Sequence, residues 1–160
     1  MISTERLDLL PLRVEHAAEM AEVLADPALH TFIGGAPLSP QALLSRYERL
    51  AAGSPDPAEQ WLNWVISLRA EGRLVGTVQA TIADRTAEIA WVVGTPWQGR
   101  GIASEAARGL VGWLTTQPVD TAVAHVHPDH HASAAVATSA GLSATGIRHD
   151  GEVRWQRPLH

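Results

Sequence analysis

The 160-residue sequence contains no cysteine and no lysine. Without cysteine the chain can form no thiol nucleophile, no disulfide framework and no thiolate-ligated zinc or iron–sulfur site. Without lysine it can be neither a Walker A nucleotide-binding protein nor an imine-forming enzyme, because both need that amine. All twelve basic residues are therefore arginines.

Positive charge and long apolar segments are also scarce. The formal net charge of -5 at pH 7 argues against an extended nucleic-acid or anionic-membrane surface. No apolar run approaches the ~20 residues of a membrane span. The first stretch carries Glu5, Arg6 and Asp8, which is not typical of a signal peptide. We therefore expect a soluble cytoplasmic protein, monomeric or homodimeric, that binds neither nucleic acid nor membrane.

Hydrophobic periodicity predicts one mixed α/β domain over residues 1–160. The three central strands follow one another closely and should pair as an antiparallel meander. Asp150-Gly151 predicts a hairpin turn near the end. The predicted elements are a short strand that begins at residue 7 and ends before Pro11, helices at 17–24 and 40–53, strands at 61–68, 74–83 and 87–93, a helix at 102–116, a strand at 121–127, a helix at 130–140, and strands at 142–148 and 153–157.

The most informative segment runs from Glu88 to Glu105 and reads as a strand, a glycine loop and a helix start. Gly99 and Gly101 allow a close backbone approach to a ligand, and the first amides of the helix have no intrahelical partner. Together with the helix dipole, these amides favour a phosphate or pyrophosphate. Alternatively, the glycines serve only a turn and Ser104 only caps the helix. The dinucleotide fingerprint fits badly, because its third glycine would fall at Ser104.

The segment Gln98-Gly99-Arg100-Gly101-Ile102-Ala103 resembles the Gln/Arg-x-x-Gly-x-Gly/Ala signature of the GNAT-superfamily N-acetyltransferases. The opening run 6–12, the strand 87–91, the helix start 103–108 and the segment 128–133, with Gly141 eight residues further on, are similar to the ribosomal-protein N-terminal acetyltransferase (RimJ/RimL) branch. The resemblance implies a GNAT fold, with a mostly antiparallel sheet flanked by helices and with its fourth and fifth strands splayed apart.

The same resemblance implies acetyl-CoA as co-substrate and no metal. Loop amides would grip its pyrophosphate, and the pantetheine arm would lie along the backbone of the family's fourth strand. His130 stands where relatives usually have an asparagine that contacts the cofactor or braces the strand. The implied cofactor-binding residues are Trp91, Val92, Val93, Gln98, Gly99, Arg100, Gly101, Ile102, Ala103, Ser104 and His130.

The implied reaction is direct transfer of an acetyl group to a primary amine, either a protein N-terminus or a small molecule. Glu88 is the candidate base, and partial burial in its apolar strand would raise its pKa toward a useful range. An amide of Val92 or Val93 would polarise the thioester carbonyl. Ser133 is the candidate acid for the leaving thiolate, or else simply caps its helix. Many relatives use a tyrosine for this role, and the matching position here is Ala137.

Two other function classes stay open. Ala137 and His130 suggest a non-catalytic acyl-CoA-binding module. His125-Val-His127-Pro-Asp129-His130 spells the HxHxDH metal signature of metallo-β-lactamase-fold hydrolases, although that fold needs a longer chain with further ligands. A histidine cluster lining an acceptor site is the other interpretation of this segment. Phe32 and the Gly34-Gly35 loop lie where the family often shapes its acceptor pocket.

Overall fold

The computed structural model of the protein describes residues 1–32 and 35–160. Three 3-10 turns, at Val14–His16, Pro27–His30 and Thr95–Trp97, connect longer elements. In chain order these elements are β1 (Ile2–Ser3), β2 (Leu7–Pro11), α1 (Ala17–Val23), α2 (Pro40–Ala52), β3 (Gln60–Leu68), β4 (Arg73–Ala83), β5 (Thr86–Val93), α3 (Ile102–Leu114), β6 (Thr121–Val126), α4 (His131–Ser139), β7 (Ser143–His149) and β8 (Glu152–Pro158).

Every predicted helix and strand is present, and the ends either coincide or differ by one or two residues. The local signals explain this agreement. Ser39 accepts a hydrogen bond from the Ala42 amide at the start of α2, Pro40 follows at the first helical position, and Gly53 ends the helix with a φ of +87°. The sequence did not predict β1, because a strand of two residues is too short to show alternation.

The eight strands form one sheet in the order β1-β2-β3-β4-β5-β6-β8-β7. Every neighbouring pair is antiparallel except β5 and β6, which run parallel. The predicted mixed α/β fold and the β3-β4-β5 meander are therefore confirmed. None of the helices in the two described ranges is long and apolar enough to cross a bilayer.

Helices cover both faces of the sheet. The larger core joins α3 and α4 to Trp64, Ile66, Ala87, Ile89 and other residues of the strands. The smaller core joins α1 and α2 to the opposite face through Val65 and Leu74. Because side chains alternate along a strand, Glu88 lies on the α1–α2 face, between the core residues Ala87 and Ile89.

Strands β5 and β6 pair at only one end. Their register runs from Thr86 opposite Thr121 to Glu88 opposite Val123 and then stops. The paired end is anchored by Arg85, whose guanidinium donates two hydrogen bonds of 2.9 Å to the carboxylate of Asp120. Beyond Glu88 the remaining half of β5 has no partner on the β6 side. This divergence is the splay that the family resemblance implied, between the fifth and sixth strands of this chain.

Candidate active site

The glycine loop between β5 and α3 presents a row of unpaired backbone donors. Gly99 and Gly101 have φ values of +76° and +75°, and Gly101 is the N-cap of α3. Within the described ranges, the amides of Gly99, Gly101 and residues 102–104 donate no hydrogen bond to the protein. Ser104 lies in the first turn and does not cap the helix. The loop therefore has the free donors that a phosphate or pyrophosphate needs.

A buried carboxylate fixes the start of α3. Glu105 is only 8% exposed, and it accepts hydrogen bonds from the Thr4 hydroxyl and from the Arg6 amide and Nε. Arg6 also donates through Nη1 to the carbonyl of Arg100, at 2.9 Å. Burial by itself would raise the pKa of Glu105, but these hydrogen bonds and the guanidinium outweigh it and hold the pKa below its usual value. The segment before β2 thus sets the position of the loop.

Replacing Glu105 by glutamine is expected to lower the free energy of unfolding at pH 7 by about 1–3 kcal/mol. Because the native pKa is depressed, the carboxylate stabilises the fold above its ordinary pKa of 4.5, and this contribution is lost as the pH falls through the native value. Urea unfolding of the two proteins from pH 7 to pH 3 should give stabilities that converge at low pH. Glu48→Gln, an exposed change on α2, is the control. A deficit that is equal at both ends of this range would contradict the assignment.

The side chains of the loop are held by the turn between β3 and β4. Glu71 accepts hydrogen bonds from Trp97 Nε1 at 3.2 Å and from Arg100 Nη2 at 3.0 Å. These hydrogen bonds, that from Trp97 first, hold the pKa of Glu71 below its usual value. Arg73 lies 5.6 Å from the centre of the Trp97 ring. Arg100, one of the residues expected to bind the cofactor, is therefore ion-paired with Glu71.

Gln98 braces the end of β5, where its Nε2 donates to the Val93 carbonyl at 3.0 Å. The opposite edge of β5 is tightly packed, because a Cβ atom at Gly76 would lie 2.1 Å from the Val92 carbonyl oxygen. The Gly94 amide donates to Val75 on β4. By antiparallel alternation, the backbone N–H and C=O of Val92 then point toward β4, whereas those of Trp91 and Val93 point toward the gap. Of the two candidate oxyanion donors, the Val93 amide is the one on the side of the gap.

The gap between β5 and β6 opens into a cavity of about 730 Å³. The glycine loop with the start of α3 and the start of α4 both line it, because they follow the carboxyl ends of the parallel strands β5 and β6. Its lining includes Trp91, Val92, Val93, Gln98, Gly99, Gly101, Ile102, Ala103, Ser104, His130 and Ser133. Of the predicted site residues, only Glu88 and Arg100 do not line it. The structure thus brings the predicted loop, strand and helix residues to one place.

Glu88 reaches this cavity only through a histidine. Its side chain is 58% exposed, so the expectation of partial burial is wrong: β5 turns this residue toward the open part of the sheet face. Its Oε1 lies 2.9 Å from Nδ1 of His125, whose side chain is 16% exposed and lines the cavity. Within the described part of the chain, His125 Nε2 has no hydrogen-bond partner. The pair therefore places an imidazole, rather than a carboxylate, at the cavity wall.

Ser133 and His130 lie together at the start of α4. The N-cap of this helix is His130, so Ser133 does not cap it. The Ser133 hydroxyl lies 3.4 Å from His130 Nε2, and the His130 ring stacks on Phe32 with centroids 4.4 Å apart. Burial, and then the charge of His127, lower the pKa of His130. His130 is therefore neutral at pH 7 and can face the hydroxyl without a charge.

A second cavity of about 460 Å³ lies between the α1–α2 layer and the sheet. It shares Leu29 and the β5 residues Ala90, Trp91 and Val92 with the first cavity. Tyr47 lines it, and burial raises the pKa of this phenol to about 12. Of the segment expected to shape an acceptor pocket, Gly35 lines this second cavity, Phe32 lines the first, and Gly34 lies outside the described residues.

The HxHxDH segment does not gather its side chains. His125 contacts Glu88, His127 Nδ1 accepts from the Asp129 amide, and His130 stacks on Phe32. In residues 1–32 and 35–160, no group of three or more potential ligands could hold a metal ion. The histidine-lined crevice is the interpretation that these positions support.

Sequence reasoning missed the supporting residues Arg6, Glu71 and Glu105, and gave His125 only a general place in a cluster. An acidic residue in the first turn of α3 was a weak signal for Glu105. Nothing local indicated that Glu71 would hold the loop, because the two segments are 26 and 29 residues apart at their contacts.

A splayed sheet, a glycine loop with free amides and the cavity that both line are suited to a phosphate-bearing ligand. A profile of the acetyltransferase (GNAT) domain matches residues 6–143, and the chain belongs to this family of acetyl-transferring enzymes. No curated protein matches it in sequence.

Solved structures of the same fold cover almost the whole chain. RimL, a ribosomal L7/L12 α-N-protein acetyltransferase in complex with coenzyme A, has a TM-score of 0.82 at 17% identity, covering 97% of this chain and 95% of its own. The aminoglycoside acetyltransferase AAC(6')-Ib, in complex with paromomycin and acetyl-CoA, has a TM-score of 0.80 at 17% identity, covering 96% of this chain and 94% of its own. Spermidine N-acetyltransferase from Vibrio cholerae, in complex with CoA and spermine, has a TM-score of 0.78 at 17% identity, covering 98% of this chain and 97% of its own.

Proposed function

We propose that the protein is an acetyl-CoA-dependent N-acetyltransferase that transfers the acetyl group directly to a primary amine. The observation that carries the proposal is the row of unpaired amides at 99 and 101–104, located at one end of the gap between β5 and β6. These donors suit the pyrophosphate of coenzyme A. The unpaired edge of β5 suits its pantetheine arm, held along Trp91, Val92 and Val93. We place the reaction in the cytoplasm, since the acetyl donor is an intracellular metabolite.

When bound, acetyl-CoA supplies an activated acetyl thioester. A C–N bond to the acceptor forms, the C–S bond breaks, and one proton must leave the amine. At neutral pH a primary amine of pKa ~10 is mostly protonated, so the protein must also take the proton that frees its lone pair. The proposed base is the pair of Glu88 and His125, in which His125 Nε2 takes the proton and the Glu88 carboxylate at Nδ1 orients the ring and stabilises its positive charge.

Ser133 is the proposed donor to the departing sulfur. It lines the cavity at the first turn of α4, where its hydroxyl, 3.4 Å from His130 Nε2, can donate a hydrogen bond to the departing thiolate while keeping its own proton. The Val93 amide is the proposed donor to the carbonyl oxygen. Ala137, where many relatives have a tyrosine, is fully buried and has no group that could donate to the departing sulfur.

The test is a calorimetric titration with coenzyme A, followed by an assay of thiol release from acetyl-CoA with a broad panel of amines. Binding together with amine-dependent release supports the proposal. Binding without turnover of any amine would indicate the non-catalytic acyl-CoA module instead. Absence of any binding heat would remove both the donor site and the proposed function.

A further inference from the structure

The second cavity has the position of an acceptor site. It meets the coenzyme cavity at Ala90, Trp91 and Val92, on the half of β5 that has separated from β6. An amine that enters from the α1–α2 side therefore arrives at the strand along which the donor would lie. The chemistry of this cavity determines which amines fit.

The cavity contains no acidic group among its described lining residues. Apart from the imidazole of His30, the one charged side chain there is Arg46. Arg46 is an exposed residue of α2 and makes no ion pair with any carboxylate in residues 1–32 or 35–160. A guanidinium without a partner beside a cavity is suited to recognise a carboxylate, because its donor fork matches the two oxygens.

The walls are apolar and the floor is polar but uncharged. Leucines of α2 and of the segments that flank α1 and α2 form the walls: Leu12, Leu24, Leu29, Leu38, Leu43 and Leu50. Neighbouring positions of three strands form the floor, with Asn63 opposite Gln79 and Gln79 opposite Ala90. The site can thus bury an apolar body while amide groups beneath it satisfy neutral polar atoms.

One polar group in the wall is left without a partner. Tyr47 is 2% exposed, and its hydroxyl makes no hydrogen bond within the described part of the chain. A buried hydroxyl in this state destabilises the empty protein. A bound molecule with a polar group would supply the missing partner.

We infer that the second cavity binds an amine that carries an apolar body and a carboxylate, with Arg46 reading the carboxylate. This inference rests on the proposed N-acetyltransferase function. The shared chemistry is that of an apolar amino acid, free or at the start of a short peptide. A polyamine or an aminoglycoside fits poorly, because its additional positive charges would meet Arg46 and no carboxylate of the lining.

The experiment compares kcat/KM for L-leucine, the dipeptide Leu-Leu, leucinamide and spermidine. We expect kcat/KM for the two substrates with a carboxylate, leucine and Leu-Leu, to exceed that for leucinamide by about ten-fold or more. Spermidine should have the lowest kcat/KM. The ratio of leucine to Leu-Leu distinguishes a free amino acid from a peptide start. Higher activity with spermidine than with either carboxylate would overturn the inference.

Arg46→Gln should raise KM for leucine and Leu-Leu about ten-fold and leave KM for leucinamide unchanged. The preference for substrates with a carboxylate should therefore disappear. Arg49→Gln is the matched control, since Arg49 is an exposed arginine of the same helix that lines neither cavity. Tyr47→Phe should raise the acceptor KM without lowering the melting temperature. If Arg46→Gln and Arg49→Gln give the same KM for leucine and Leu-Leu, Arg46 does not bind the carboxylate of the acceptor.

Direct binding separates this inference from the proposed reaction. N-acetyl-leucine, titrated into the protein with coenzyme A present, should bind to the wild type and Arg49→Gln, and about ten-fold more weakly to Arg46→Gln. Such binding without acetyl transfer would support the acceptor class and contradict the enzyme. Acetyl transfer to amines, without Arg46-dependent binding of N-acetyl-leucine, would support the enzyme and contradict the inference that the acceptor carries a carboxylate. No binding and no transfer would contradict both.

Discussion

His125→Ala is expected to lower kcat by about 10²–10³-fold while leaving the affinity for acetyl-CoA unchanged. The variant removes the imidazole nitrogen that faces the cavity, and Glu88 by itself does not line that cavity. Steady-state kinetics at pH 7 and calorimetry with coenzyme A measure the two effects.

Glu88→Gln separates the two members of this pair. If the carboxylate orients His125, the loss in kcat should be smaller, about ten-fold, because the imidazole remains. If the carboxylate itself takes the proton, Glu88→Gln should be as damaging as His125→Ala. His149→Ala is the control, since that exposed ring lies 5.5 Å from His125 without a hydrogen bond to it. Normal turnover of both Glu88→Gln and His125→Ala would remove the pair from catalysis.

Gly101→Val is expected to weaken coenzyme A binding by about 100-fold or more. The residue has a φ of +75°, which costs a branched side chain about 1–2 kcal/mol, and its own amide is one of the free donors that a pyrophosphate would approach. Loss of one or two charge-assisted hydrogen bonds accounts for the rest. Calorimetric titration measures the affinity, and thermal unfolding measures the strain.

Gly53→Val is the matched control for the backbone strain. Gly53 also has a positive φ, +87°, and open space around its Cβ position, but it ends α2 far from the loop in sequence. Both variants should lose stability, and only Gly101→Val should lose affinity. Equal affinity in the wild type and Gly101→Val would refute the phosphate loop, whatever the stabilities are.

The agreement between sequence and structure is closest where the determinants are local. Ser39-Pro40 and Gly53 fix α2 within one turn at each end, and Asp150-Gly151 forms its hairpin with positive φ at both residues. The glycine loop depends on the same kind of information, since Gly99 and Gly101 adopt conformations that favour glycine. The family signature and the cofactor class could therefore be predicted from the residues in order.

The errors and omissions concern contacts across the sheet. The strand pattern placed Glu88 in an apolar run, but only the pairing of β5 with β6 determined that its face is open and that His125 stands beside it, 37 residues further along the chain. Arg100 looked free in the sequence, and the turn that carries Glu71 engages it.

By itself, the sequence determined the order of elements, the phosphate-suited loop and the acetyltransferase family, because hydrophobic period, turn residues and helix ends act over a few neighbouring positions. The tertiary structure decided which side chains face the cavities. It joined Glu88 to His125, fixed the loop through Arg6 and Glu105, and lined the second cavity with leucines and Arg46 but no carboxylate among the described residues. Those arrangements depend on strand register and on helices packing across the sheet, which bring together residues that no local pattern connects.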